Sequence, residues 1–213
     1  MILAIDTGNT NIVFGCIDRG TIVLKGCIST DRDKTDMEYA VMFKNILDIH
    51  GIKKETLDGA IMSSVVPPLN SVLSKAVEMV TGHRPIMVNV HSNTGLKINM
   101  DDETKIGHDL LVDSVAALSM FQPPILIFDM GTATTISVID GDGAYSGSVI
   151  IPGVKIAQEA LTARTSQLPA VAFEAPNTML GKNTIDAMQI GLIHGTAAMM
   201  DGMIERQIGR AHV

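Results

Sequence analysis

At 213 residues, with 46% hydrophobic and 18% charged residues, the chain is long enough to bury a core in one compact unit or two small lobes, and too apolar to be disordered. A net charge of −7 argues against the basic footprint of a nucleic-acid binder. No run of about 18 apolar residues and no Lys/Arg-flanked apolar leader occurs, so neither membrane spanning nor secretion is expected, and a cytoplasmic location is the default. The two cysteines, Cys16 and Cys27, fall in strand-like stretches and are expected to be buried and reduced. The six histidines show no ligand spacing. An anionic ligand must therefore arrive with cations or be held by backbone amides.

In chain order, ILAIDTGNTNIVFGCIDRGTIVLKGCI from Ile2 reads as a buried strand, an Asp-x-Gly turn, a second strand, a turn at Asp18-Arg19-Gly20 and a third strand. KTDMEYAVMFKNILDIHG follows as a helix. Thr35 and Glu38 make its capping box, Tyr39, Met42, Phe43, Ile46 and Leu47 share one face, and Gly51 ends it. DGAIMSSVVPP predicts a strand leading to a proline-marked turn, and LNSVLSKAVEMVTG a helix with Val72, Leu73, Ala76, Val77 and Val80 on one face. PIMVNV is a further short strand, and KIGHDLLVDSVAALSMF a helix that stops before Pro123. The segment ILIFDMGTATTISVIDGDGAYSGSVI from Ile125 then repeats the opening pattern. PGVKIAQEALTART and the stretch from about Asn183 to Arg206 close the chain as helices. This order predicts two related α/β lobes, residues 1–120 and 121–213, facing each other across a cleft.

The repeated turn carries the chemistry. An aspartate at the carboxyl end of a buried strand sits where open α/β sheets bind ligands, and a glycine two residues later permits positive φ or close approach by a phosphate. Asn9, Thr10, Thr132 and Thr134 add side-chain donors beside freed amides, which makes each copy a phosphate clip. Asp6 and Asp129 would repel phosphate by roughly 4 kcal/mol per charge pair at about 4 Å and an effective dielectric near 20, so a cation is expected between them. Single Asp-x-Gly turns also serve as plain hairpin connections. Two copies on matching strands favour the functional reading.

DTGNTN, SSVVPPL, IGHDLLVDSVAAL, DMGTATT, IIPG, the Leu168-Pro169 pair and GKNTIDAMQIG, in this order and spacing, resemble the type III pantothenate kinases of the acetate kinase, sugar kinase, Hsp70 and actin superfamily, from residue 1 to about Arg206. The resemblance implies a ribonuclease H-like two-lobed fold, a homodimer, and ATP-dependent phosphorylation of pantothenate to 4'-phosphopantothenate, the first step of coenzyme A biosynthesis. It also implies a divalent cation such as Mg2+ with the ATP, and a monovalent cation, K+ or NH4+. By the same resemblance Asp6, Thr7, Gly8, Asn9, Thr10 and Asn11 form the ATP phosphate loop, with Asp6 meeting the divalent cation through water. Thr132 is a further ATP contact and Asp129 the monovalent-cation ligand. Asp109 is the catalytic base, and Gly107, His108, Asp109, Leu110 and Thr184 contact pantothenate. Physics agrees for Asp109, because a carboxylate in a helix's first turn is favoured by the dipole and is placed to accept a proton.

Plainer readings stand beside these. Asp109 also reads as a simple helix-start carboxylate, with Asp113 one turn later on the same face. Asp101, Asp102 and Glu103 read as solvated surface, Lys182 as an exposed helix-start lysine, and His108 and His194 as inert or locally hydrogen-bonded. Met199, Met200 and Met203 read as core or interface filling. Three positions depart from the family pattern: Leu110 stands where many members have Arg, Met100 where many have Tyr, and the chain stops at IGRAHV, about forty residues before the usual end. These departures support an alternative, a non-catalytic, ligand-sensing or transcription-accessory relative of the same fold. A sugar or acetate kinase is a third choice.

Overall fold

The structure, a computed structural model, describes residues 1–211, with side chains through residue 207. It divides into two compact units, Met1–Pro123 with Gly143–Tyr145, and Pro124–Asp142 with Ser146 onward.

The first unit is built on β1 (Ile2–Thr7), β2 (Asn11–Asp18), β3 (Thr21–Ser29), β4 (Gly59–Ser64) and β5 (Ile86–Met87), in the order β3-β2-β1-β4-β5. β1 and β2 pair antiparallel, as do β2 and β3, while β1 and β4 run parallel. The β2–β3 connection takes positive φ at Arg19 (49°) and Gly20 (83°), the two-residue geometry whose twist matches that of the strands. Alternation along β1 and β2 sends Leu3, Ile5, Ile12, Phe14 and Cys16 into one core. Two helices complete that core: α1 (Asp36–Ile49) supplies Tyr39, Phe43 and Leu47, and α2 (Pro67–Thr81) supplies Leu69, Leu73, Ala76 and Val77. Phe14 meets Phe43 edge-on at 5.7 Å, and a Cβ on Gly26 of β3 would run into the Phe14 ring. Each large side chain buried here is worth about 1.5–3 kcal/mol.

α1 begins as the sequence predicts, with the Thr35 and Glu38 capping box formed. α2 starts at Pro67, two residues earlier than expected, because prolines at its first two positions leave no needed N–H unpaired. It ends at Gly82 in the left-handed conformation. A second cluster joins Val88, Ile106, Leu110 and Leu111 to Tyr145, with Met100 packed against it. Leu110 and Leu111 belong to α3 (His108–Met120).

The second unit opens with β7 (Ile125–Met130) and β8 (Ala133–Ile139), followed by β9 (Ala144–Pro152), α4 (Val154–Arg164) and α5 (Thr184–Ala211). The second sheet has the order β6-β9-β8-β7, where β6 (Lys97–Ile98) pairs parallel with Ala144 and Tyr145 of β9. The irregular segment between α4 and α5 is tied down by two glutamines: Gln158 accepts from the Val171 N–H at 2.9 Å, and Gln189 donates to the Ala172 carbonyl at 3.0 Å. Among the described residues no helix is long and apolar enough to cross a membrane.

Three expectations need correction. Cys16 is buried and burial pushes its thiol up, but Cys27 is exposed, because β3 is an edge strand and lacks cover at that position. The strand over PIMVNV is confined to Ile86 and Met87, because Asn89 begins a tight turn: its Oδ1 accepts from the His91 N–H and its carbonyl from the Ser92 N–H. Thr134 offers no donor to solvent, being 1% exposed, since the second Asp-x-Gly turn is one residue shorter than the first and turns Thr134 inward.

Candidate active site

The first turn lies between β1 and β2. Thr7 faces Ile12 across the hairpin, and the Gly8 N–H donates to the Asn11 carbonyl at 2.9 Å. Gly8 is not in the left-handed region; it is needed for close approach, since a Cβ there would stand 3.1 Å from the Asn11 oxygen. The Thr7 side chain is wholly buried, whereas Asn9, Thr10 and Asn11 are exposed at the tip. Asp6 is half-buried beneath them.

The segment after β3 closes over this tip. Thr30 Oγ1 donates to the Gly8 carbonyl at 2.7 Å, the Thr30 N–H donates to the Thr10 carbonyl at 2.8 Å, and Arg32 donates to Asn9 Oδ1 at 3.0 Å. That segment is itself anchored by Tyr39, whose hydroxyl accepts from the Asp31 N–H at 2.9 Å and donates to the Asp31 carbonyl at 2.7 Å. Sequence reasoning missed Thr30 and Arg32. Their only signal was position, directly after the strand that pairs with the turn.

Asp109 reaches the same end of this sheet through its neighbour. His108 Nδ1 lies 3.1 Å from the Ser64 carbonyl, and Ser64 ends β4 opposite Thr7 of β1. The start of α3 is thus pinned at the carboxyl ends of β1 and β4, and His108, read as inert or locally bonded, makes a contact across 44 residues. Gly107 caps α3 without a side chain, and Asp109 Oδ1 accepts from the Leu110 N–H at 2.8 Å. A Cβ on Gly107 would stand against the Asp109 carboxylate, so a larger residue there would require that carboxylate to turn aside. The Leu110 side chain, 8% exposed, packs in the second core cluster, so what it offers a ligand is its backbone. Asp101, Asp102 and Glu103 are exposed, and Asp102 Oδ1 accepts from the Thr104 N–H and hydroxyl, a local turn as the plainer reading expects.

In the second unit, Met130 faces Thr134 and the Gly131 N–H donates to the Ala133 carbonyl at 3.0 Å. Thr132 is exposed at the tip. Its carbonyl accepts from the Gly153 N–H at 3.2 Å, and a Cβ on Gly153 would collide with the carbonyl oxygens of Gly131 and Thr132. Gly153 is the uncapped N-terminal residue of α4, whose first turn carries no acid, so free amides and the positive end of the helix dipole lie beside Thr132. Within IIPG the glycine gives no local signal of this contact, which forms only when the start of α4 meets the turn.

Thr184 opens α5. Asn183 Oδ1 accepts from the Asp186 N–H and Asn183 Nδ2 donates to Asp186 Oδ2, a reciprocal cap. Thr184 lines a cavity of about 690 Å³ with Lys182, Asn183, Met188 and, from α4, Leu161.

Cation fit can be read from oxygen donors. Asp6 faces Ser63 in register on β4 and Asp129 faces Thr135 on β8. The Oγ atoms of Ser63 and Thr135 are both buried without a hydrogen-bond partner. Each aspartate therefore has a hydroxyl oxygen beside it, a donor set suited to hard cations. Among the described residues no group of three His, Cys, Asp or Glu side chains gathers to hold a metal ion.

Duplicated strand-turn-strand units, each with an aspartate entering a glycine turn and helices on the sheet, define a ribonuclease H-like α/β class of protein. A conserved Campylobacter jejuni protein assigned to the Baf family of transcriptional activators has a similar structure, with a TM-score of 0.55 at 18% identity over 94% of this chain and 78% of its own, a likeness of fold. The family model for type III pantothenate kinase matches residues 2–206. A type III pantothenate kinase of an Exiguobacterium species is 41% identical over 100% of this chain and 85% of its own length. The chain belongs to the type III pantothenate kinase family and is an enzyme of that kind.

Proposed function

We propose that this enzyme transfers the γ-phosphate of ATP to the hydroxyl of pantothenate, giving 4'-phosphopantothenate and ADP at the entry to coenzyme A biosynthesis. One observation carries the reading: in a chain matched by the family over residues 2–206, the start of α3, with Asp109, is pinned to the same sheet end as the Asp6–Asn11 turn. Gly8, Asn9, Thr10 and Asn11 would hold phosphate oxygens, and Thr132 with the α4 amides would offer a further phosphate contact. Asp109 accepts the proton as the pantothenate oxygen bonds to phosphorus and the bond from that phosphorus to the bridging β–γ oxygen breaks, with ADP leaving. The transition state is loose, so Asp109 contributes position more than basicity. Thr184, with the backbone of Gly107, His108 and Leu110, would orient pantothenate. A Mg2+ ion near Asp6 and Ser63, and a K+ or NH4+ ion near Asp129 and Thr135, would supply charge neutralisation at an acidic site.

A homodimer and a cytoplasmic setting belong to the same reading. The half-buried Met199, Met200, Met203 and Ile204 on α5 support an apolar contact face there. Beside the departures at Leu110, Met100 and the chain end, the accessory-protein alternative has a fold likeness at 18% identity behind it, and fold does not carry activity. The test is ADP release with ATP and Mg2+, with and without pantothenate, in K+ or Na+, beside Asp109→Asn. Pantothenate-dependent, K+-stimulated turnover that falls by about 10²-fold or more in the variant is expected. Turnover independent of pantothenate, or retained in Asp109→Asn, would overturn it.

A further inference from the structure

The two ends of the Asn9 carboxamide have opposite hydrogen-bonding sense: Oδ1 only accepts, and Nδ2 only donates. Arg32 is a donor with no acceptor, and its guanidinium lies 3.0 Å from Asn9 Oδ1. That pairing works for one orientation of the amide alone. It keeps Oδ1 on the side of Arg32 and turns both Nδ2 hydrogens away from it. An isolated Asn at an exposed turn tip would sample both orientations, and half of them would present a carbonyl oxygen to an approaching anion.

Arg32 does not reach Asn9 by chance of a mobile side chain alone. Three bonds from one short segment land on three consecutive turn residues: Thr30 Oγ1 on the Gly8 carbonyl, Arg32 on Asn9 Oδ1 and the Thr30 N–H on the Thr10 carbonyl. The base of that segment is fixed by Tyr39, 0% exposed, through both its bonds to Asp31, and by the Lys34–Asp31 ion pair at 2.5 Å. The segment is thus a brace whose outermost member determines what Asn9 shows to a ligand. Lys34 is engaged by Asp31, which leaves Arg32 as the cation of this segment that meets the turn.

We propose that Arg32 is a positioning residue of the first turn: by donating to Asn9 Oδ1 it locks the carboxamide with its Nδ2 donor presented to a phosphate oxygen of the nucleotide. This rests on the reading of Asp6–Asn11 as the ATP phosphate loop. Binding a phosphate through a pre-oriented donor loses less freedom than binding through one that must first be selected. The effect therefore falls on nucleotide affinity, not on the proton transfer at Asp109.

The experiment is a double-mutant cycle on the full chain with Arg32→Ala, Asn9→Ala and the pair, adding Arg32→Lys and Arg32→Gln. KM for ATP, KM for pantothenate, kcat, dissociation of ADP measured by calorimetry, and the thermal midpoint are followed. Arg32→Ala is expected to raise KM for ATP and weaken ADP binding about tenfold. Pantothenate KM, kcat and the thermal midpoint should stay near the parent values, since Arg32 is exposed. The double variant should be no worse than Asn9→Ala, because the two residues act through one contact. Arg32→Gln, which is uncharged but still offers an N–H to Oδ1, should recover most of the lost affinity, as should Arg32→Lys.

Additive losses in the cycle, or rescue by Lys without rescue by Gln, would mean that the guanidinium acts on the nucleotide through its own charge, and would overturn the positioning role. Loss in Asn9→Ala with none in Arg32→Ala would overturn it also. If Asn9→Ala itself leaves ATP and ADP binding untouched, the phosphate-loop reading fails first, and the proposal falls with it.

Discussion

The two Asp-x-Gly turns share a signature and differ in what holds them. The first has Thr7 facing Ile12 and the second Met130 facing Thr134, so the second is one residue shorter. That difference sends Asn11 to the surface and the residue aligned with it, Thr134, into the interior. The first turn is gripped by the side chains of Thr30 and Arg32 and by one backbone bond, from the Thr30 N–H to the Thr10 carbonyl, all carried on a segment anchored by Tyr39. The second is gripped by backbone, with Gly153 at the start of α4 lying against the carbonyls of Gly131 and Thr132. A side-chain brace can be trimmed atom by atom. A backbone brace has no slack, because carbonyl groups in a strand-to-strand turn cannot rotate away without breaking the hairpin.

The largest effect should come from the backbone brace. In Gly153→Ala the new methyl meets two carbonyl oxygens, so α4 must move off the turn. A destabilisation of about 1–3 kcal/mol is expected from overpacking, and a displaced α4 start should lower turnover by about 10²-fold. Thermal melting and ADP release measure both; unchanged turnover would show that α4 does not set the geometry of the second turn.

Next comes the pair Gly8→Ala and Gly131→Ala. The added Cβ stands 3.1 Å from the Asn11 oxygen in the first turn but 3.4 Å from the Ala133 oxygen in the second. KM for ATP should rise about tenfold for Gly8→Ala and no more than about threefold for Gly131→Ala, given that overpacking costs grow steeply with overlap. The reverse order would show that the shorter turn is the more constrained.

A smaller effect is expected for Thr30→Val, which keeps the shape of the side chain and deletes the bond to the Gly8 carbonyl. About 1 kcal/mol is lost with a bond of this kind, so KM for ATP should rise by about fivefold while the second turn is untouched. A wild-type KM would confine the brace to Arg32 and the Thr30 N–H.

The smallest effect is electrostatic. The Lys34 ammonium, and then the Asp33 N–H, hold the Asp31 carboxyl below the ordinary carboxylate range. A group whose folded pKa is depressed adds stability above its unfolded value, about 3.9, and that contribution fades as the pH falls through the lower folded value. Asp31→Asn should therefore melt slightly below the parent at neutral pH, with the gap closing below about pH 4. A gap that widens in acid would contradict the assigned sign.

Much of this was legible in the chain. The capping box at Thr35 and Glu38, the glycine stop at Gly51, and the apolar faces of α1 and α2 follow from local propensity and periodicity, which act within a few residues. The repeat of strand, Asp-x-Gly turn and strand was visible because each piece is contiguous. Arg32, Thr30 and Gly153 were not visible as site residues, because each meets its turn through a fold-back that no local pattern encodes. The exposure of Cys27 and the short β5 were missed for the same reason, since cover on an edge strand and the Asn89 turn depend on neighbours.

The sequence by itself determined the class of the protein, the two aspartates at strand ends, and the helix that carries Asp109, since apolar periodicity, turn residues and caps are local codes. Tertiary structure decided which groups confront one another: His108 on the Ser64 carbonyl, Arg32 on Asn9, Gly153 on Thr132, and unpartnered hydroxyls across from Asp6 and Asp129. Such pairings are fixed by strand register and by the packing of helices on sheets, and a one-residue change in a turn is enough to exchange a surface donor for a buried one.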